Sequence, residues 1–392
     1  MSTFFLPEHF RNRPYAASKL HEIVQWASAS HPFYRQKYQR DLSSPCEIPL
    51  LTRAEILANN DLLLNNHPET GRTSGSTGIP VRFSWSEERQ QISRRESLEY
   101  TNQWLGGALP RAKIIRLKGA SDPESADIGL PAQEQVNFLQ QRFQTANATS
   151  VITYPTNAAE LSQHILDNQI DMSHIQRFSC YAEAFESWQE QLVQRAFPNA
   201  RIYTTYSATE LGMIAARCPY EPNFHHVFAK KLAVEILDQN HRPCTEGAIG
   251  RVVITDYFNR RSPFIRYDIG DLAAYAKCPC GKINLPALTQ ITGKVRGLLR
   301  RPNGQRVMFS NLDAALRDIP GIAQFQVVQK SLTHHILRFV ASPGLNTALF
   351  AEQAKALFYA EFGPTITLAL QQEDTIERGS NGKFYASICE ID

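Results

Sequence analysis

The chain has 392 residues, with 41 lysines and arginines against 38 aspartates and glutamates, so its formal net charge is +3. This small surplus supports no nucleic-acid or membrane-surface partner, and no apolar run approaches the roughly 20 residues that span a bilayer. Apolar residues make up 43% of the chain and charged residues 20%, which excludes a disordered or fibrous protein. The length predicts two or three domains.

The first residues, MSTFFLPEHFRNRPYAASK, lack the basic and apolar stretches of a signal peptide, so we expect a cytoplasmic protein. The seven cysteines are an odd number, which argues against a disulfide framework there. Cys278 and Cys280 are separated by a single residue, which is too close for a routine disulfide and indicates metal ligation.

The first 70 residues are predicted to be helical. The segment SKLHEIVQWAS has apolar residues at helical spacing, and Thr52 followed by Glu55 is a capping-box pattern. From about Lys113, strand-like runs (AKIIRLKG, ATSVITYP, RFSCYAEA, NARIYTTY) alternate with helical ones (AAELSQHILDN, ESWQEQLVQRAF). This alternation predicts helices packed on largely parallel sheets.

The second half of the chain is predicted to be rich in strands, beginning with LAVEILD, GRVVITD and FIRYDIGDLAAYA. A boundary is predicted near residues 291–297. Beyond it, FQVVQK, HHILRFVA and TITLALQQ flank the helical run NTALFAEQAKALFYAEF, which indicates a small α+β unit. We therefore predict an α/β protein with a large domain over 1–292, a hinge at 293–297 and a small domain over 298–392.

The strongest local motif is RTSGSTGIPVRFSWS, residues 72–86. The six small residues from Thr73 to Gly78 offer backbone N–H groups and hydroxyls that can close around phosphate oxygens. It is not a Walker loop, because no Lys-Ser or Lys-Thr follows the last glycine. The segment alone is equally compatible with a flexible linker.

A second motif, TTYSATELG, follows the strand-like NARIY. Tyr206 could stack on a base, Thr209 could contact a phosphate, and Glu210 could bind magnesium. The alternative is an ordinary helix start capped by Ser207 or Thr209, and the motif alone favours that alternative.

Two weaker motifs follow. In RYDIGDLA, Asp271 could accept hydrogen bonds from ribose hydroxyls, and the alternative is a common hairpin turn. In SNGKFYA, Lys383 follows an Asn-Gly turn, and by spacing alone a surface lysine is the default interpretation.

The order TSGSTG, TYSATE, RYDIGD, GKVRG, NGK resembles the adenylate-forming superfamily of acyl-CoA synthetases and related ligases. The chain is most similar to the phenylacetate–CoA ligase branch, including its short capsule-biosynthesis-type members, and the similarity extends from about residue 10 to the C-terminus. TYPT at 153–156, YAEAF at 181–185 and the cysteine-rich segment support that branch. The resemblance implies mixed sheets with flanking helices in the large domain and a small, mobile C-terminal domain.

Such enzymes use ATP and Mg²⁺ to join a small carboxylic acid, in this branch an aryl acid, to AMP with release of pyrophosphate. They then pass the acyl group to a thiol, such as CoA or the phosphopantetheine of an acyl or aryl carrier protein. By similarity, the β- and γ-phosphates would be held by Thr73, Ser74, Gly75, Ser76, Thr77 and Gly78. The adenine would lie between Tyr206 and the segment Ala182, Glu183 and Ala184.

The same resemblance assigns the remaining nucleotide contacts. Thr209 would contact the α-phosphate, Glu210 would bind Mg²⁺, and Asp271 would hold the ribose hydroxyls, while Ser207 is placed in the same site. Lys383 matches the mobile lysine of the small domain, which would neutralise the charge that builds up between the attacking carboxylate and the pyrophosphate.

The predicted hinge departs from the family pattern of Gly-Arg followed by an acidic pair. Lys294 keeps the positive charge at the nucleotide but lacks the planar fork of arginine, and Arg296 reverses a charge. The next segment, RRPNGQRV, is predicted to form a β-hairpin. These departures leave the acceptor open between CoA, a carrier protein, an amine and a hydroxyl. For a carrier protein, the basic patch would comprise Arg296, Arg300, Arg301 and Arg306, and the alternative is a solvated basic loop.

The cysteine-rich segment predicts a structural zinc site. Cys218, a histidine seven or eight residues later, Cys278 and Cys280 give four ligands suited to tetrahedral zinc. The residues alone leave His225 and His226 open, and the resemblance favours His226. The alternative is three unrelated reduced cysteines.

Two other functions stay open at this level, together with a homodimer. One is an adenylyltransferase that acts on a small-molecule hydroxyl. The other is a nucleotide-binding relative that has lost catalysis, which only the altered hinge supports.

Overall fold

The computed structural model describes residues 14–38, 48–73, 80–118, 124–181, 183, 185, 187–292, 298–308, 312, 315–316, 318–342, 344–376 and 386–391. The chain divides into two compact units, Met1–Thr292 and Gly293–Asp392. No helix in these described ranges is long and apolar enough to cross a membrane.

The described helices of the larger unit are α1 (Pro14–Ser30), α2 (Pro32–Lys37), α3 (Arg53–Ala58), α4 (Asn60–Leu64), α5 (Glu87–Gln103), α6 (Ala132–Ala146), α7 (Pro155–Asp167) and α8 (Ser187–Ala196). Its strands are β1 (Gly71–Arg72), β2 (Arg82–Phe83), β3 (Ile114–Leu117), β4 (Ser125–Ala126), β5 (Ser150–Thr153), β6 (Arg177–Cys180), β7 (Arg201–Ala208), β8 (Gly212–Arg217), β9 (His225–Val227), β10 (Leu232–Leu237), β11 (Ile249–Asp256), β12 (Tyr267–Ala276) and β13 (Ala287–Thr292).

Local sequence explains where the helices begin. The Thr52 hydroxyl accepts a hydrogen bond from the Glu55 N–H at 3.2 Å and caps α3, as predicted. The Glu55 carboxylate instead accepts a hydrogen bond from Lys37 at 2.5 Å. In α5, Ser86 is the N-cap and its hydroxyl accepts a hydrogen bond from the Arg89 N–H at 3.2 Å. The acidic residues of the first turn interact favourably with the helix dipole and stabilise this end of the helix.

Eleven strands form one mixed sheet in the order β10-β11-β12-β13-β9-β8-β7-β6-β5-β3-β4. From β4 to β7 the strands are parallel, because helices α6, α7 and α8 return the chain to the same edge. From β7 onward the neighbours are antiparallel. The predicted parallel arrangement therefore holds for one half of the sheet, and β7 joins the two halves.

Each half of the sheet has its own core. The parallel half packs against its helices through a cluster that includes Ile115, Val151, Phe178 and Phe197. The antiparallel half packs with the N-terminal helices, where Tyr34 is fully buried and its hydroxyl donates to the Pro263 carbonyl at 2.7 Å. The strand β7, which separates these cores, is therefore fixed from both sides.

The smaller unit is an α+β fold, with β14 (Leu298–Arg300), β15 (Arg306–Met308), β16 (Ile322–Gln329), β17 (His334–Ala341), α9 (Thr347–Phe362), β18 (Thr367–Gln372) and β19 (Ser387–Cys389). The last four strands form a sheet in the order β18-β17-β16-β19, and α9 packs on it through Phe350 and Phe358. The predicted hairpin is confirmed, since β14 and β15 pair antiparallel around Gly304, whose φ is 81°.

Candidate functional site

The second motif lies on a strand and a tight turn, so its interpretation as a helix start is wrong. Strand β7 carries Tyr206 and Ser207, and Thr209 and Glu210 form the turn into β8. Gly212 has a φ of 66°, a backbone conformation that glycine adopts without strain. The turn therefore presents Thr209 and Glu210 at the end of a strand that is packed on both sides.

The third motif is a bulge inside a strand and not a hairpin turn. Strand β12 continues through it, and the pairing with β11 shifts register between Arg251 and Val253. Gly270 has a φ of 84°, which allows the extra residues to bend out of the ladder. Asp268 forms an ion pair with Arg251 at 3.0 Å, and Asp271 is turned toward β7.

The bulge brings Asp271 to Tyr206. The Tyr206 hydroxyl donates to Asp271 Oδ2 at 2.6 Å, although β7 and β12 are four positions apart in the sheet order. Strands four apart in a flat sheet would be about 19 Å from each other. The antiparallel half is therefore strongly curved. Burial, reinforced by the Asp271 charge, raises the pKa of Tyr206 well above its usual value, so the phenol stays a donor.

Glu210 is 4% exposed and is held at both its backbone and its side chain. Its carbonyl accepts from Trp85 Nε1 at 2.8 Å, and its Oε1 accepts from the Tyr267 hydroxyl at 3.3 Å. Within the described part of the chain, Oε2 accepts no hydrogen bond. A buried carboxylate with one uncommitted oxygen fits a hard divalent cation such as Mg²⁺.

Thr73 closes the base of the phosphate-loop motif. Its N–H donates to the Val81 carbonyl at 2.9 Å, and its hydroxyl accepts from the Val81 N–H at 2.9 Å. The other predicted phosphate-binding residues lie outside the described residues: Ser74, Gly75, Ser76, Thr77 and Gly78.

Glu183, predicted to lie beside the adenine, has its carboxylate at the N-terminus of α7. Its Oε2 accepts from the Thr156 N–H at 3.1 Å and from the Thr156 hydroxyl at 2.8 Å. This contact satisfies one of the unpaired N–H groups of the first helical turn and anchors the segment that carries Glu183. The remaining site predictions, Ala182, Ala184, Lys294 and Lys383, lie outside the described residues.

The cysteine-rich segment folds into one cluster. Ligand atoms of Cys218, His226, Cys278 and Cys280 all lie within 4.8 Å of one another. Ligand atoms in a tetrahedral zinc site are about 3.3–3.8 Å apart, so the set fits zinc after small adjustments. Cys218 follows β8, His226 lies on β9, and the other two lie in the β12–β13 connection.

Hydrogen bonds decide which histidine belongs to this cluster. His226 Nδ1 lies 3.3 Å from the Leu285 carbonyl, and its Nε2 lies 3.7 Å from Cys280 Sγ. If Nδ1 carries the proton, Nε2 is available as a ligand. His225 Nε2 instead pairs with the Thr204 hydroxyl at 3.0 Å. The geometry therefore favours His226.

The thiols of the cluster differ in their ionisation. Burial raises the pKa of Cys278 to about 12. Burial also opposes ionisation of Cys280, but the N–H groups of Lys282 and Ile283, together with hydrogen bonds from Cys278 and Cys218, lower the pKa of Cys280. A bound divalent cation would deprotonate both thiols.

A groove with a volume of about 850 Å³ opens beside the β7–β8 turn. Its walls are Thr70, Gly71, Phe83, Trp85, Gln90, Ser93, Arg94, Ser97, Leu98, Thr101 and Thr209. Most of these residues lie on one face of α5 or on the β1–β2 pair, so the groove leads along α5 to the predicted α-phosphate contact, Thr209.

The sequence analysis assigned no role to two residues of the site, Trp85 and Arg89. Trp85 lies within the singled-out segment 72–86 without an assigned role, and Arg89 lies four residues further on. Arg89 contacts Leu211 and Asp256, which are 122 and 167 residues away in the chain. No local pattern could have indicated contacts at that separation.

Comparison with known proteins agrees with this architecture. A solved structure of 2-hydroxyisobutyryl-CoA ligase, in the postadenylation state in complex with R3-HIB-AMP, is 17% identical with a TM-score of 0.73, covering 98% of this chain and 90% of that chain. The amide bond synthetase McbA from Marinactinospora thermotolerans is 14% identical with a TM-score of 0.58, covering 79% and 66%. ATP-bound MatB from Rhodopseudomonas palustris is 13% identical with a TM-score of 0.56, covering 81% and 65%.

The smaller unit matches a family by sequence. Residues 299–390 match the family model described as the CapK C-terminal domain. No curated protein sequence matches the chain. The predicted resemblance is thus confirmed in the fold of the whole chain and in the sequence of its last quarter. The chain has the fold of the adenylate-forming ligases and ends in a C-terminal domain of the CapK type.

Proposed function

We propose that the chain is a ligase that uses ATP and Mg²⁺ to join a small carboxylic acid to AMP, and then transfers the acyl group to a thiol. The observation that supports this most is the 2.6 Å hydrogen bond between Tyr206 and Asp271. It joins the residue proposed to stack on adenine to the residue proposed to hold the ribose. Glu210 contacts Tyr267, the residue before the Asp268 bulge, so the proposed cation ligand belongs to the same site.

Each of these residues has a role that its surroundings favour. The bond from Tyr206 orients the Asp271 carboxylate, which is proposed to accept from ribose hydroxyls. Thr209 lies in the same turn as Glu210, so its hydroxyl can donate to the α-phosphate. When bound, Mg²⁺ would neutralise phosphate charge. Glu210 would hold it through Oε2, while Tyr267 fixes Oε1.

Lys383 is proposed, from the sequence resemblance alone, to act in the first half-reaction. Its cation would neutralise charge between the carboxylate and the leaving pyrophosphate, an effect worth a few kcal/mol of barrier. Replacing Lys383 by alanine should abolish adenylation and leave thiol transfer from a supplied acyl adenylate largely intact. An equal loss of both half-reactions would contradict this assignment.

The acceptor is proposed to be CoA or a carrier-protein phosphopantetheine, and the acid to be aryl. The CoA ligase fold supports a thiol, whereas the fold of an amide bond synthetase keeps an amine as a competing outcome. Within the basic patch proposed for a carrier protein, Arg301 forms an ion pair with Glu361 at 2.7 Å.

Zinc is proposed to bind the Cys/His cluster in a structural role. Four protein ligands would complete its coordination shell, so no position is left for a substrate. The ion would tie the β8–β9 and β12–β13 connections together.

The deciding experiment is acid-dependent exchange of labelled pyrophosphate into ATP, run without an acceptor across aryl, fatty and amino acids. We expect exchange with one class of acid, and its loss in Asp271→Asn. The matched control is Asp268→Asn, which removes a carboxylate from the same bulge and should retain exchange. ATP binding without exchange for any acid would overturn the proposal. Adenylation without an acid would point to an adenylyltransferase, and no turnover at all to a non-catalytic relative.

A further inference from the structure

The turn that carries Thr209 and Glu210 is held from one side by two residues at the start of α5. Trp85 Nε1 donates to the Glu210 carbonyl at 2.8 Å, and Arg89 Nη2 donates to the next carbonyl, that of Leu211, at 2.5 Å. The Arg89 guanidinium also lies over the Trp85 ring, 4.9 Å from its centroid. Two consecutive carbonyls of the turn are thus fixed by one stacked pair of side chains.

Arg89 is itself held rigidly. Its side chain is fully buried, and its Nε donates to the fully buried carboxylate of Asp256. The other carboxylate oxygen of Asp256 accepts from the N–H groups of Phe258 at 3.0 Å and Asn259 at 3.2 Å. A buried arginine anchored in this way cannot change rotamer without leaving a charge unpaired, which is strongly unfavourable.

The same pair is linked to the phosphate-loop motif. Trp85 follows strand β2, in which Phe83 pairs with Gly71 of β1. Strand β1 in turn ends immediately before Thr73. The Trp85 N–H donates to the Thr70 hydroxyl at 2.8 Å. A displacement of Trp85 would therefore disturb both the base of that motif and the turn that carries Glu210.

We propose that Trp85 and Arg89 are positioning residues that set the placement of Glu210 for its cation. The proposal rests on the proposed function of Glu210 as a Mg²⁺ ligand. Neither side chain contacts the carboxylate. They act through the backbone on both sides of it, while Tyr267 fixes Oε1.

The test measures cation binding directly and does not depend on turnover. Mn²⁺ replaces Mg²⁺, and its binding to the complex of full-length protein with a non-hydrolysable ATP analogue is followed by electron paramagnetic resonance. Trp85→Phe keeps an aromatic ring beneath Arg89 but replaces the indole and removes the N–H that holds the Glu210 carbonyl, and Arg89→Lys keeps the positive charge but loses the fork that reaches two partners. Each should weaken Mn²⁺ binding by about ten- to a hundredfold, the range seen when residues that orient metal ligands are changed. Affinity for the analogue without metal should not change.

The matched control is Lys231→Met. Lys231 is also a fully buried cation beside α5 and pairs with Glu96 at 2.7 Å, but it makes no hydrogen bond to the turn. It should lower the melting temperature and leave Mn²⁺ affinity unchanged. Equal weakening in Lys231→Met, or unchanged affinity in both Trp85→Phe and Arg89→Lys, would overturn the positioning role.

A fourth variant separates this proposal from the one on which it rests. Glu210→Gln should abolish Mn²⁺ binding to the protein. If Glu210→Gln leaves Mn²⁺ binding intact, the proposed role of Glu210 is wrong and the positioning role falls with it. If Glu210→Gln loses binding while Trp85→Phe and Arg89→Lys keep it, only the positioning role is wrong.

Discussion

Tyr206 and Asp271 lie on strands four positions apart in the sheet, and the hydroxyl of one donates to the carboxylate of the other at 2.6 Å. This bond spans the concave side of the curved antiparallel half. It leaves Asp271 buried, at 6% exposure, and oriented by a neutral donor whose raised pKa keeps it protonated.

Tyr206→Phe is expected to weaken ATP binding about tenfold or more, because a hydrogen bond to a charged group contributes roughly 1.5–3 kcal/mol. The ring remains available to stack on a base, so the loss reports on the orientation of Asp271. Isothermal titration calorimetry with ATP measures it. Tyr203→Phe, on the same strand, is the control and should bind ATP normally. Normal affinity in Tyr206→Phe would mean that Asp271 needs no orienting donor.

Cys280→Ser is expected to reduce the zinc content and to lower the melting temperature, because the binding free energy of a structural metal is part of the folding free energy. Elemental analysis by mass spectrometry and thermal unfolding measure the two effects. Cys244→Ser changes a cysteine outside the cluster and should keep both values. A wild-type protein that is metal-free and equally stable would contradict the zinc assignment.

His335 is expected to make the smaller unit less stable in acid. It is fully buried against Phe358 and Phe362, and burial lowers its pKa from 6.5 to about 4. As the pH falls from about 6.5 to 4, the unfolded chain takes up a proton that the folded chain refuses, so stability is lost over that interval.

His335→Leu should remove this part of the pH dependence, on the order of 1–2 kcal/mol after solvent screening is allowed for. Hydrogen exchange of the β16 and β17 amides at pH 7.5 and 5 measures it. His334→Leu is the control, since His334 is only partly buried and its Nδ1 pairs with the Thr367 hydroxyl. A pH dependence that survives in His335→Leu would show that another group causes it.

Glu183→Gln is expected to cost about 1 kcal/mol of stability, because it removes a negative charge from the N-terminus of α7. Chemical denaturation gives the free energy of unfolding. Asp167→Asn, an exposed position at the C-terminal end of the same helix, should cost much less. If the two variants are equally stable, the contact with Thr156 has no energetic role.

Local patterns were sufficient for most elements of the fold. Apolar spacing predicted α1, α7, α8 and α9, and strand-like runs predicted the strands that carry the nucleotide motifs. The same patterns could not reveal that the sheet is parallel on one side of β7 and antiparallel on the other. Strand direction depends on how the connections cross the sheet, which spacing does not encode.

The candidate site, too, could be predicted only in part from local sequence. Tyr206, Glu210 and Asp271 stand in short motifs with recognisable composition, and the structure brings them together. Two local interpretations were wrong for a physical reason. At Gly212 the chain turns from β7 back into β8, whereas the sequence alone favoured the start of a helix. At Gly270 the chain forms a bulge, whereas the alternative from sequence was a hairpin turn. A glycine with positive φ permits several turns, and only the strand pairing selects among them.

Helix α5 carries two buried ion pairs on one face, Arg89 with Asp256 and Glu96 with Lys231, seven residues apart. A slip of one residue would rotate both charges by about 100° away from their partners. Each pair by itself opposes sliding and rotation of this helix, which is about 25 Å long. At its far end, Trp104 packs edge-on against His226 at 5.8 Å between ring centroids. The side chains that hold the carbonyls of Glu210 and Leu211 and the ring that packs on the Cys/His cluster therefore stand at opposite ends of one helix.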